Sequence, residues 1–549
     1  MIAREQALAA LAEETFDVAV VGGGITGAGV ALDAASRGYS VALIERADYA
    51  SGTSSRSSKL VHGGLRYLQQ FDLGLVREAL LERQLMVKLA PHLVLPLPII
   101  VAATGGARLD RLVGVGLNLY DVMSVERRRG RRGGGDAWSP DRHRTISAEE
   151  VVELLPALAS AEPTAGYLFY DCQTDDVRLV LTVLGEAERF GAVCANRVRA
   201  LDLVEERGRV AGVRVRDELG GEEFTLRAGH VVNATGVWAD ALRPSGAAAD
   251  AVPVIRPSRG THVIFPYEAL PLRAGAIVPA GGGRTIFALP WLGRTLVGTT
   301  DNDYEGGLDH VAPPADDVKY LLSAVNAFFD TTLGRGDIAG AYAGVRPLIS
   351  ASADAKSSVD ISRKAELYEP ADGFVTITGG KLTTWRRMAK MAVDRLVERD
   401  ARNAPCRTHQ IPLGQAIDAA ALPRVAGVDA AAYPALAARY GYAANDVLRV
   451  AAARTALAEP IVAGLPDVLA EAVVAFRSEQ AGSLGDVLLR RTRLGLLAAR
   501  DVCRPSVLER VADVVGEELG WDRARRAAEV DAFAREAEAE GLVVDLVAA

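Results

Sequence analysis

The feature of this sequence that most constrains its fold is a glycine-rich turn between a short apolar strand and a helix of small residues. The apolar run FDVAVV (16–21) leads into the turn GGGITG (22–27), a helix predicted over about 26–37, and a second apolar run SVALIE (40–45). Strand, helix and strand in close succession indicate a βαβ unit. In a G-x-G-x-x-G turn the glycines permit the sharp bend, the approach of a pyrophosphate and close helix–strand packing. The pattern therefore predicts a dinucleotide site at the positive end of the helix.

The acidic residue that ends the second strand narrows the choice of dinucleotide. Glu45 lies where a carboxylate can accept a hydrogen bond from a ribose hydroxyl. A carboxylate there disfavours a 2′-phosphate, which argues against NADP. The turn itself does not separate NAD from FAD. The cofactor contacts predicted in this unit are Gly22, Gly24, Ile25, Thr26, Gly27, Glu45 and Arg46.

Two further segments favour a flavin. The stretch SGTSSRSSKLVHGGLR (51–66) is rich in small hydroxylated residues, and it suits a cofactor that must be held along its whole length. The segment GGKLT (379–383) begins a helix, whose dipole can stabilise negative charge at the N1–C2=O edge of the ring. A third strand-then-glycine segment is HVVNATG (230–236). The additional predicted contacts to FAD, which we expect to be noncovalent, are Thr53, Ser54, Ser58, Lys59, Leu60, Ala234, Gly236, Gly380, Lys381, Leu382 and Thr383.

The remaining patterns predict an α/β fold with three parts: a Rossmann-like FAD-binding domain, an antiparallel β substrate domain and a helical C-terminal domain. Strand-like stretches such as THVIF, TIFALPW and TLVGTT form the predicted antiparallel layer, and alanine-rich helical patterns dominate after about residue 401. The predicted oxidoreductase region is 14–400. Its FAD-binding segments are 14–95, 165–250 and 340–400, its substrate-domain segments are 96–164 and 251–339, and the helical domain is 401–549.

Charge, cysteines and apolar runs exclude several classes of protein. The formal net charge of −8 argues against a nucleic-acid partner, which needs Lys and Arg to neutralise phosphates. Four scattered cysteines give neither a disulfide framework nor a metal site. The N-terminus lacks the apolar core of a signal peptide, and the longest apolar run, 93–103, contains two prolines and is too short to span a bilayer. We therefore expect a cytoplasmic protein whose membrane contact, if any, is peripheral.

Several sequence words together resemble the FAD-dependent glycerol-3-phosphate dehydrogenases, within the wider D-amino-acid-oxidase-like flavoprotein group. They follow the family's order from about residue 16 to 390, and the tail segment LRRTRLGL (489–496) is similar to the family's C-terminal domain. Two departures are Arg56, where a small residue is expected, and a glycine–arginine insertion near residue 130. The matching words are VVGGGITGAG (20–29), TSSRSSKLVHGGLRYL (53–68), DCQTDDVRLV (171–180), VNATGVWAD (232–240), VGTTD (297–301), AGVRPL (343–348) and TGGKLTTWR (378–386).

The resemblance implies that sn-glycerol 3-phosphate is oxidised to dihydroxyacetone phosphate. It supports Arg66 and Arg363 as phosphate ligands, because a guanidinium binds oxygens in pairs and stays charged, with Tyr67 and Thr299 as hydroxyl partners.

Three residues are candidates for the reacting end of the substrate. Arg346 and Lys381 are the candidates for polarising the C2 oxygen. His62 is the candidate base, since the ordinary pKa of histidine suits proton transfer at neutral pH. Lys381 is the competing base.

The other six histidines are interpreted as structural, and the pair Asp175–Asp176 as a helix cap rather than an acid–base pair.

The electron acceptor is left open by the sequence. A dehydrogenase needs an acceptor such as a membrane quinone, and the basic run RRRGRRGGG (127–135) would suit either anionic lipid or a solvated loop. The alternatives are an oxidase that uses O₂, an oxidase of glycine or D-amino acids, and a catalytically idle flavin-binding protein. A homodimer is also an open expectation.

Overall fold

The computed structural model describes residues 1–65, 72–106, 108–123, 140–246, 254–349 and 364–543. Within these residues the strands form two sheets, and helices pack against both. The first sheet contains eight described strands, numbered with those of the second in chain order. They are β1 Thr15–Val21, β2 Val41–Ile44, β7 Val193–Ala195, β8 Val198–Glu206, β9 Arg209–Asp217, β10 Glu223–Asn233, β17 Ala365–Ala371 and β18 Phe374–Gly379.

Five strands of the first sheet run parallel in the spatial order β18-β10-β1-β2-β7. Strand β17 pairs antiparallel with β18, and β8 and β9 extend β10 as an antiparallel ribbon. Because the carboxyl ends of parallel strands meet at one edge, the segments after β1, β2, β10 and β18 lie close together. All four are segments that the sequence analysis singled out, and this edge is where the candidate site lies.

The second sheet contains ten described strands, most of them antiparallel. The stretches THVIF, TIFALPW and TLVGTT contribute to its strands β11, β13 and β14, so the predicted antiparallel layer is confirmed. The strands are β3 Leu60–Val61, β4 Val94–Thr104, β5 Arg144–Ser147, β6 Pro163–Thr174, β11 Ile255–Pro266, β12 Gly275–Pro279, β13 Thr285–Trp291, β14 Arg294–Gly298, β15 Asn302–Asp303 and β16 Gly340–Ile349.

The helices of the first 400 residues cover the two sheets. The predicted βαβ unit is confirmed, because β1 and β2 pair in parallel and the helix between them begins at Ile25. That helix is made of small residues and lies close to its neighbour: a Cβ on Gly29 would meet the Trp385 ring at 2.6 Å. The helices are α1 Arg4–Glu13, α2 Ile25–Ser36, α3 Leu73–Leu89, α4 Arg111–Met123, α5 Ala148–Leu154, α6 Asp176–Arg189, α7 Ala315–Phe329 and α8 Trp385–Arg399.

The predicted helical character of the C-terminal region is also confirmed. Its described part, up to residue 543, contains helices, short turns and one isolated bridge between Pro460 and Val468. Its apolar core is continuous with Ile264, Trp291, Leu296 and Tyr342 of the second sheet. The exact segment boundaries between domains stay a prediction. The helices are α9 Ala432–Tyr440, α10 Ala444–Ala453, α11 Leu469–Ser478, the π-helical turn Asp486–Arg491, α12 Leu494–Leu497, α13 Ala499–Val502, α14 Pro505–Leu519 and α15 Arg523–Ala539.

Arg56 stands where the family resemblance predicts a small residue. It connects the segment SGTSSRSSK (51–59) to the C-terminal region. Its guanidinium forms a bidentate ion pair with Glu540, just beyond α15, and His310 Nδ1 lies 2.9 Å from the same carboxylate. Burial alone would raise the pKa of Glu540, but Arg56 and His310 outweigh it and hold that pKa at about 2. Arg56 is therefore a contact between domains.

Replacing Glu540 with Gln should lower the melting temperature most at neutral pH, and the effect should shrink as the pH falls and become small near pH 2. The pKa of Glu540 is depressed in the folded chain, so its stabilisation is present above the unfolded value and is lost as pH falls toward 2. The shift corresponds to roughly 3 kcal/mol at neutral pH. Thermal unfolding of the native protein and of Glu540→Gln at pH 7 and pH 2.5 measures it. Glu517→Gln, in an exposed ion pair with Arg454, is the control and should change little at either pH. An equal loss for Glu540→Gln at both pH values would contradict the assignment.

In the part of the chain that the structure describes, no helix combines the length and apolar character needed to cross a bilayer.

Candidate functional site

The glycine-rich turn after β1 has no space for side chains. Gly22 has φ +115°, and a Cβ there would lie 2.6 Å from the Ala234 carbonyl oxygen. A Cβ on Gly27 would lie 1.8 Å from the Gly22 carbonyl oxygen. Gly24 is the N-cap of α2, so the first N–H groups of that helix face the turn. The backbone thus forms a cradle that fits the pyrophosphate of FAD.

Two side chains hold the turn in place. Ser54 Oγ accepts a hydrogen bond from Ile25 N at 3.0 Å, and the Glu45 carboxylate accepts from Gly23 N at 2.7 Å and Ala47 N at 2.9 Å. Burial raises the pKa of Glu45, and the two backbone donors oppose that shift. Because each carboxylate oxygen has two lone pairs, Glu45 can also accept from a ribose hydroxyl. That role stays a prediction.

The turn opens into a cleft of about 390 Å³ along the carboxyl ends of the parallel strands. It extends past the ends of β1, β2, β10 and β18, and so joins all the glycine-containing segments. The predicted cofactor contacts that line it are Gly22, Gly24, Ile25, Thr26, Glu45, Arg46, Thr53, Ser54, Ala234, Gly236, Gly380, Lys381 and Leu382. Gly27 lies behind the turn as a packing residue, and its role is to let α2 approach β1.

Three predicted contacts, Ser58, Lys59 and Leu60, do not line the cleft with their side chains. Ser58 Oγ lies 2.8 Å from His262 Nε2, and Leu60 begins β3 in an apolar cluster. Lys59 has φ +59° and is buried, and its ammonium donates to Asp176 Oδ2 at 2.7 Å. The Ser58 hydroxyl and the Lys59 ammonium, which suggested cofactor contacts, therefore have protein partners. Contact between these two residues and the cofactor would be through the backbone.

One end of the cleft has a stacked pair that the sequence analysis did not identify. The Arg46 guanidinium lies over the Trp238 ring, 4.3 Å from its centroid, and pairs with Asp309. Trp238 lines the cleft together with residues 198–201 of β8. The word VNATGVWAD contained Trp238, and an aromatic residue beside a predicted glycine turn was the signal available for it.

Arg346 and Thr299 lie together next to the cleft-lining residue Pro347. Arg346, on β16, donates through Nη2 to Thr299 Oγ1 at 3.2 Å and through Nη1 to Asp301 Oδ1 at 3.1 Å. A Cβ on Gly260 would lie 2.4 Å from Arg346 Nη2, so only glycine leaves space for this guanidinium. Pro347, the next residue on β16, lines the cleft. The arrangement fixes a cation and a hydroxyl beside the cofactor cleft.

The segments containing His62 and Lys381 also meet. His62 N donates to Thr383 Oγ1 at 3.2 Å, and that hydroxyl donates to the His62 carbonyl oxygen at 3.3 Å. Lys381 lines the cleft and precedes the short turn 382–384 that leads into α8. Its neighbour Gly380 has φ +67°, and a Cβ there would lie 2.4 Å from Met388 Sδ. Thr383, a predicted cofactor contact, thus connects the two candidate-base segments.

Beneath the His62 segment lies a buried polar cluster that the sequence analysis missed. Asp171 Oδ1 accepts from Gly63 N at 3.1 Å and from the Tyr120 hydroxyl at 2.7 Å, and it forms an ion pair with Arg83. The carboxylate therefore holds the backbone next to His62. Asp171 begins the word DCQTDD, but nothing local in the sequence identifies its partners.

The pair Asp175–Asp176 divides into two roles. Asp175 caps α6 by accepting from Val177 N and Arg178 N, which confirms the predicted cap. Asp176 is instead the buried partner of Lys59 and Arg493.

Three of the predicted substrate ligands, Arg66, Tyr67 and Arg363, lie outside the described residues, as does the basic run 127–135. Their assignments stay predictions.

The fold and the cleft define a flavin-dependent oxidoreductase, and comparison with known proteins agrees. Residues 17–395 match the family described as FAD dependent oxidoreductase, and residues 406–526 match the C-terminal domain of alpha-glycerophosphate oxidase. FAD is therefore the cofactor of this class, and the glycine cradle described above fits it.

Comparison with individual relatives identifies the family within the flavin-dependent oxidoreductases. A glycerol-3-phosphate dehydrogenase of Mycobacterium tuberculosis is 39% identical over 542 residues, covering 97% of this chain and 90% of its own. The aerobic glycerol-3-phosphate dehydrogenase of Bacillus subtilis is 34% identical, with 94% of each chain covered. The crystal structure of the Bacillus halodurans glycerol-3-phosphate dehydrogenase complexed with FAD superposes with a TM-score of 0.78 at 28% identity, covering 100% of this chain and 98% of its own. The chain belongs to the family of FAD-dependent glycerol-3-phosphate dehydrogenases.

Proposed function

We propose that this protein oxidises sn-glycerol 3-phosphate to dihydroxyacetone phosphate. The observation that carries the proposal is that one cleft built for FAD is lined by both Lys381 and Pro347, the neighbour of Arg346. Arg346 holds Thr299, and the His62 segment is bonded to Thr383, two residues after Lys381. Its relatives over nearly the full length are glycerol-3-phosphate dehydrogenases, which supports the same substrate. FAD bound in the cleft supplies the hydride acceptor.

The protein side of the reaction requires orientation, polarisation and proton removal. Arg346 is held by Asp301, Thr299 and the Thr300 carbonyl oxygen, so its positive charge is fixed before the substrate binds and can polarise the C2 oxygen without reorganisation. His62 or Lys381 removes the hydroxyl proton as the C2–H bond breaks and the C2–O bond becomes a carbonyl. Arg66, Arg363, Tyr67 and Thr299 bind the phosphate in this proposal.

Replacing His62 with Gln should lower kcat by about 100-fold or more if His62 is the base, because a positioned base contributes about that much. The pH profile of kcat/KM should lose its acidic limb at the same time, while the FAD content stays unchanged. His409→Gln, at an exposed position, is the control. Retention of the acidic limb in His62→Gln, with its loss in Lys381→Met, would instead make Lys381 the base.

We propose further that the electron acceptor is a membrane quinone and that α4 docks on the lipid surface. Four apolar residues lie on one face of this helix at steps of three and four: Leu112, Val115, Leu119 and Val122, exposed by 79%, 66%, 39% and 74%. An exposed apolar stripe is typical of an interfacial helix. The sequence that follows, 127–135, is rich in arginine, and this charge complements anionic lipid.

Co-sedimentation with vesicles of anionic lipid tests the docking. The double variant Val115→Asn/Val122→Asn should bind at least several-fold more weakly, while Leu219→Asn, an exposed residue elsewhere, should bind like the native protein. If the stripe covers a second copy instead, the double variant will lose a dimer in ultracentrifugation and keep its vesicle binding. Turnover that rises with a vesicle-dissolved quinone, with little peroxide, supports the quinone; peroxide in stoichiometric yield would make the protein an oxidase.

A further inference from the structure

The segment between β2 and β3 that lines the FAD cleft is held in part by the C-terminal region. We call residues 46–59 the flavin loop. Its central residues 50–54 line the cleft, and its contact with α2 is the hydrogen bond from Ile25 N to Ser54 Oγ. Several of its other ion pairs and hydrogen bonds reach residues beyond position 475, while the rest stay within the first 400 residues. The contacts beyond position 475 lie at both ends of the part that lines the cleft.

The first end is fixed at Asp48. Its buried carboxylate accepts from Arg490 Nε at 2.6 Å and from Arg491 Nη1 and Nη2 at 2.7 and 2.9 Å. Both arginines belong to the π-helical turn 486–491 and are buried. Next to Asp48, the Tyr49 hydroxyl donates to Gln480 Oε1 at 3.0 Å. The loop therefore meets the C-terminal region immediately before it enters the cleft.

The second end is fixed at Ser55. Arg493, fully buried, donates through Nη2 to the Ser55 carbonyl oxygen at 3.1 Å and to Asp176 Oδ1 at 2.8 Å. Lys59 donates to the same carbonyl at 2.6 Å and to Asp176 Oδ2 at 2.7 Å. One carbonyl and one carboxylate thus receive donors from both the loop and the C-terminal region.

Buried charges of this kind require their partners. Burying Asp48 or Asp176 without a cation is unfavourable, so the loop conformation seen here depends on the docked arginines. The cleft-lining residues 50–54 lie between Asp48 and Ser55, the two positions that these contacts fix.

From this geometry we infer that Arg490, Arg491 and Arg493 of the C-terminal region are positioning residues for FAD. They do not line the cleft, and they act by fixing the flavin loop at Asp48 and Ser55. Cofactor binding and docking of the C-terminal region are therefore coupled. The sequence word LRRTRLGL, which contains these residues, serves to retain the cofactor.

Arg491→Gln tests the inference through the affinity of the apoprotein for FAD, measured by quenching of flavin fluorescence. The Kd should rise about 10-fold or more, while KM for glycerol 3-phosphate at saturating FAD stays within about twofold. Arg491→Lys should restore part of the affinity. The control is Arg510→Gln, an arginine of the same region that pairs with Glu459 and donates to the carbonyl oxygens of Pro460 and Ile461. If both Gln variants lose thermal stability and their FAD Kd values rise equally, the role is merely structural and the inference is wrong.

Hydrogen–deuterium exchange of the native chain tests the same coupling without a substitution. Because coupling between two sites is reciprocal, FAD must protect the C-terminal segment 484–497 as well as the flavin loop. We expect slower exchange in 484–497 when FAD is added to the apoprotein, with α14 as the control segment. Equal rates in 484–497 with and without FAD would overturn the inference even if the Gln variants do not fold.

Discussion

Replacing Arg346 with Met should lower kcat/KM for glycerol 3-phosphate by about 100- to 1000-fold, the loss that follows removal of one preorganised donor. The guanidinium is fixed by Asp301 Oδ1 at 3.1 Å and Thr299 Oγ1 at 3.2 Å, so it is oriented before the substrate arrives. Arg346→Lys keeps the charge and loses the planar fork, and it should recover only part of the rate. Steady-state kinetics with the flavin content of each preparation measures the effect.

The control for this prediction is Arg256→Met. Arg256 lies on the neighbouring strand β11 in an ion pair with Asp303, away from the cleft, and its loss should leave kcat/KM nearly unchanged. If Arg346→Met retains a third or more of the native kcat/KM with full FAD, Arg346 does not act on the substrate.

Replacing Gly27 with Ala should produce a protein that retains almost no FAD. The added Cβ would lie 1.8 Å from the Gly22 carbonyl oxygen, so the turn must move out of the position where its N–H groups face the pyrophosphate. A packed backbone cannot absorb that overlap by a side-chain adjustment. We expect the Kd for FAD to rise by about 100-fold or more, since the phosphate contacts are lost together.

Gly185→Ala is the matched control, because it lies within helix α6, where a Cβ would meet no neighbour within 4 Å. That variant should bind FAD like the native protein and be slightly more stable. A Gly27→Ala protein that purifies with stoichiometric FAD would show that α2 can shift without disturbing the cradle.

The dinucleotide unit could be predicted because its constraints are local. The turn 22–27 needs glycine for reasons that involve only β1, α2 and the strand beside them, and the periodicity of the flanking runs identifies those elements. The antiparallel layer and the helical C-terminal region could also be predicted from local patterns. Strand-like apolar stretches indicate the layer, and alanine-rich helical periodicity indicates the C-terminal region.

The three-dimensional partners of the loop residues could not be predicted in this way. Lys59 reads as a cofactor contact in its glycine- and serine-rich context, yet its ammonium binds Asp176, far along the chain, beside Arg493. Arg56 reads as a departure from the family until Glu540 is seen to accept its guanidinium. Such pairs join residues more than a hundred positions apart, and no local spacing encodes them. His62 and Lys381 were chosen as candidate bases from residue type and sequence context, and the hydrogen bonds through Thr383 show that their segments lie together.

The central claim is that glycerol 3-phosphate delivers hydride to FAD held in this cleft. Its most direct test is an anaerobic titration of the purified yellow protein with glycerol 3-phosphate, followed by the visible absorbance of the flavin. The account predicts rapid bleaching at stoichiometric substrate, with no response to glycerol, glycine or D-alanine. An FAD-containing protein that keeps its colour with glycerol 3-phosphate, or bleaches instead with an amino acid, would contradict the account.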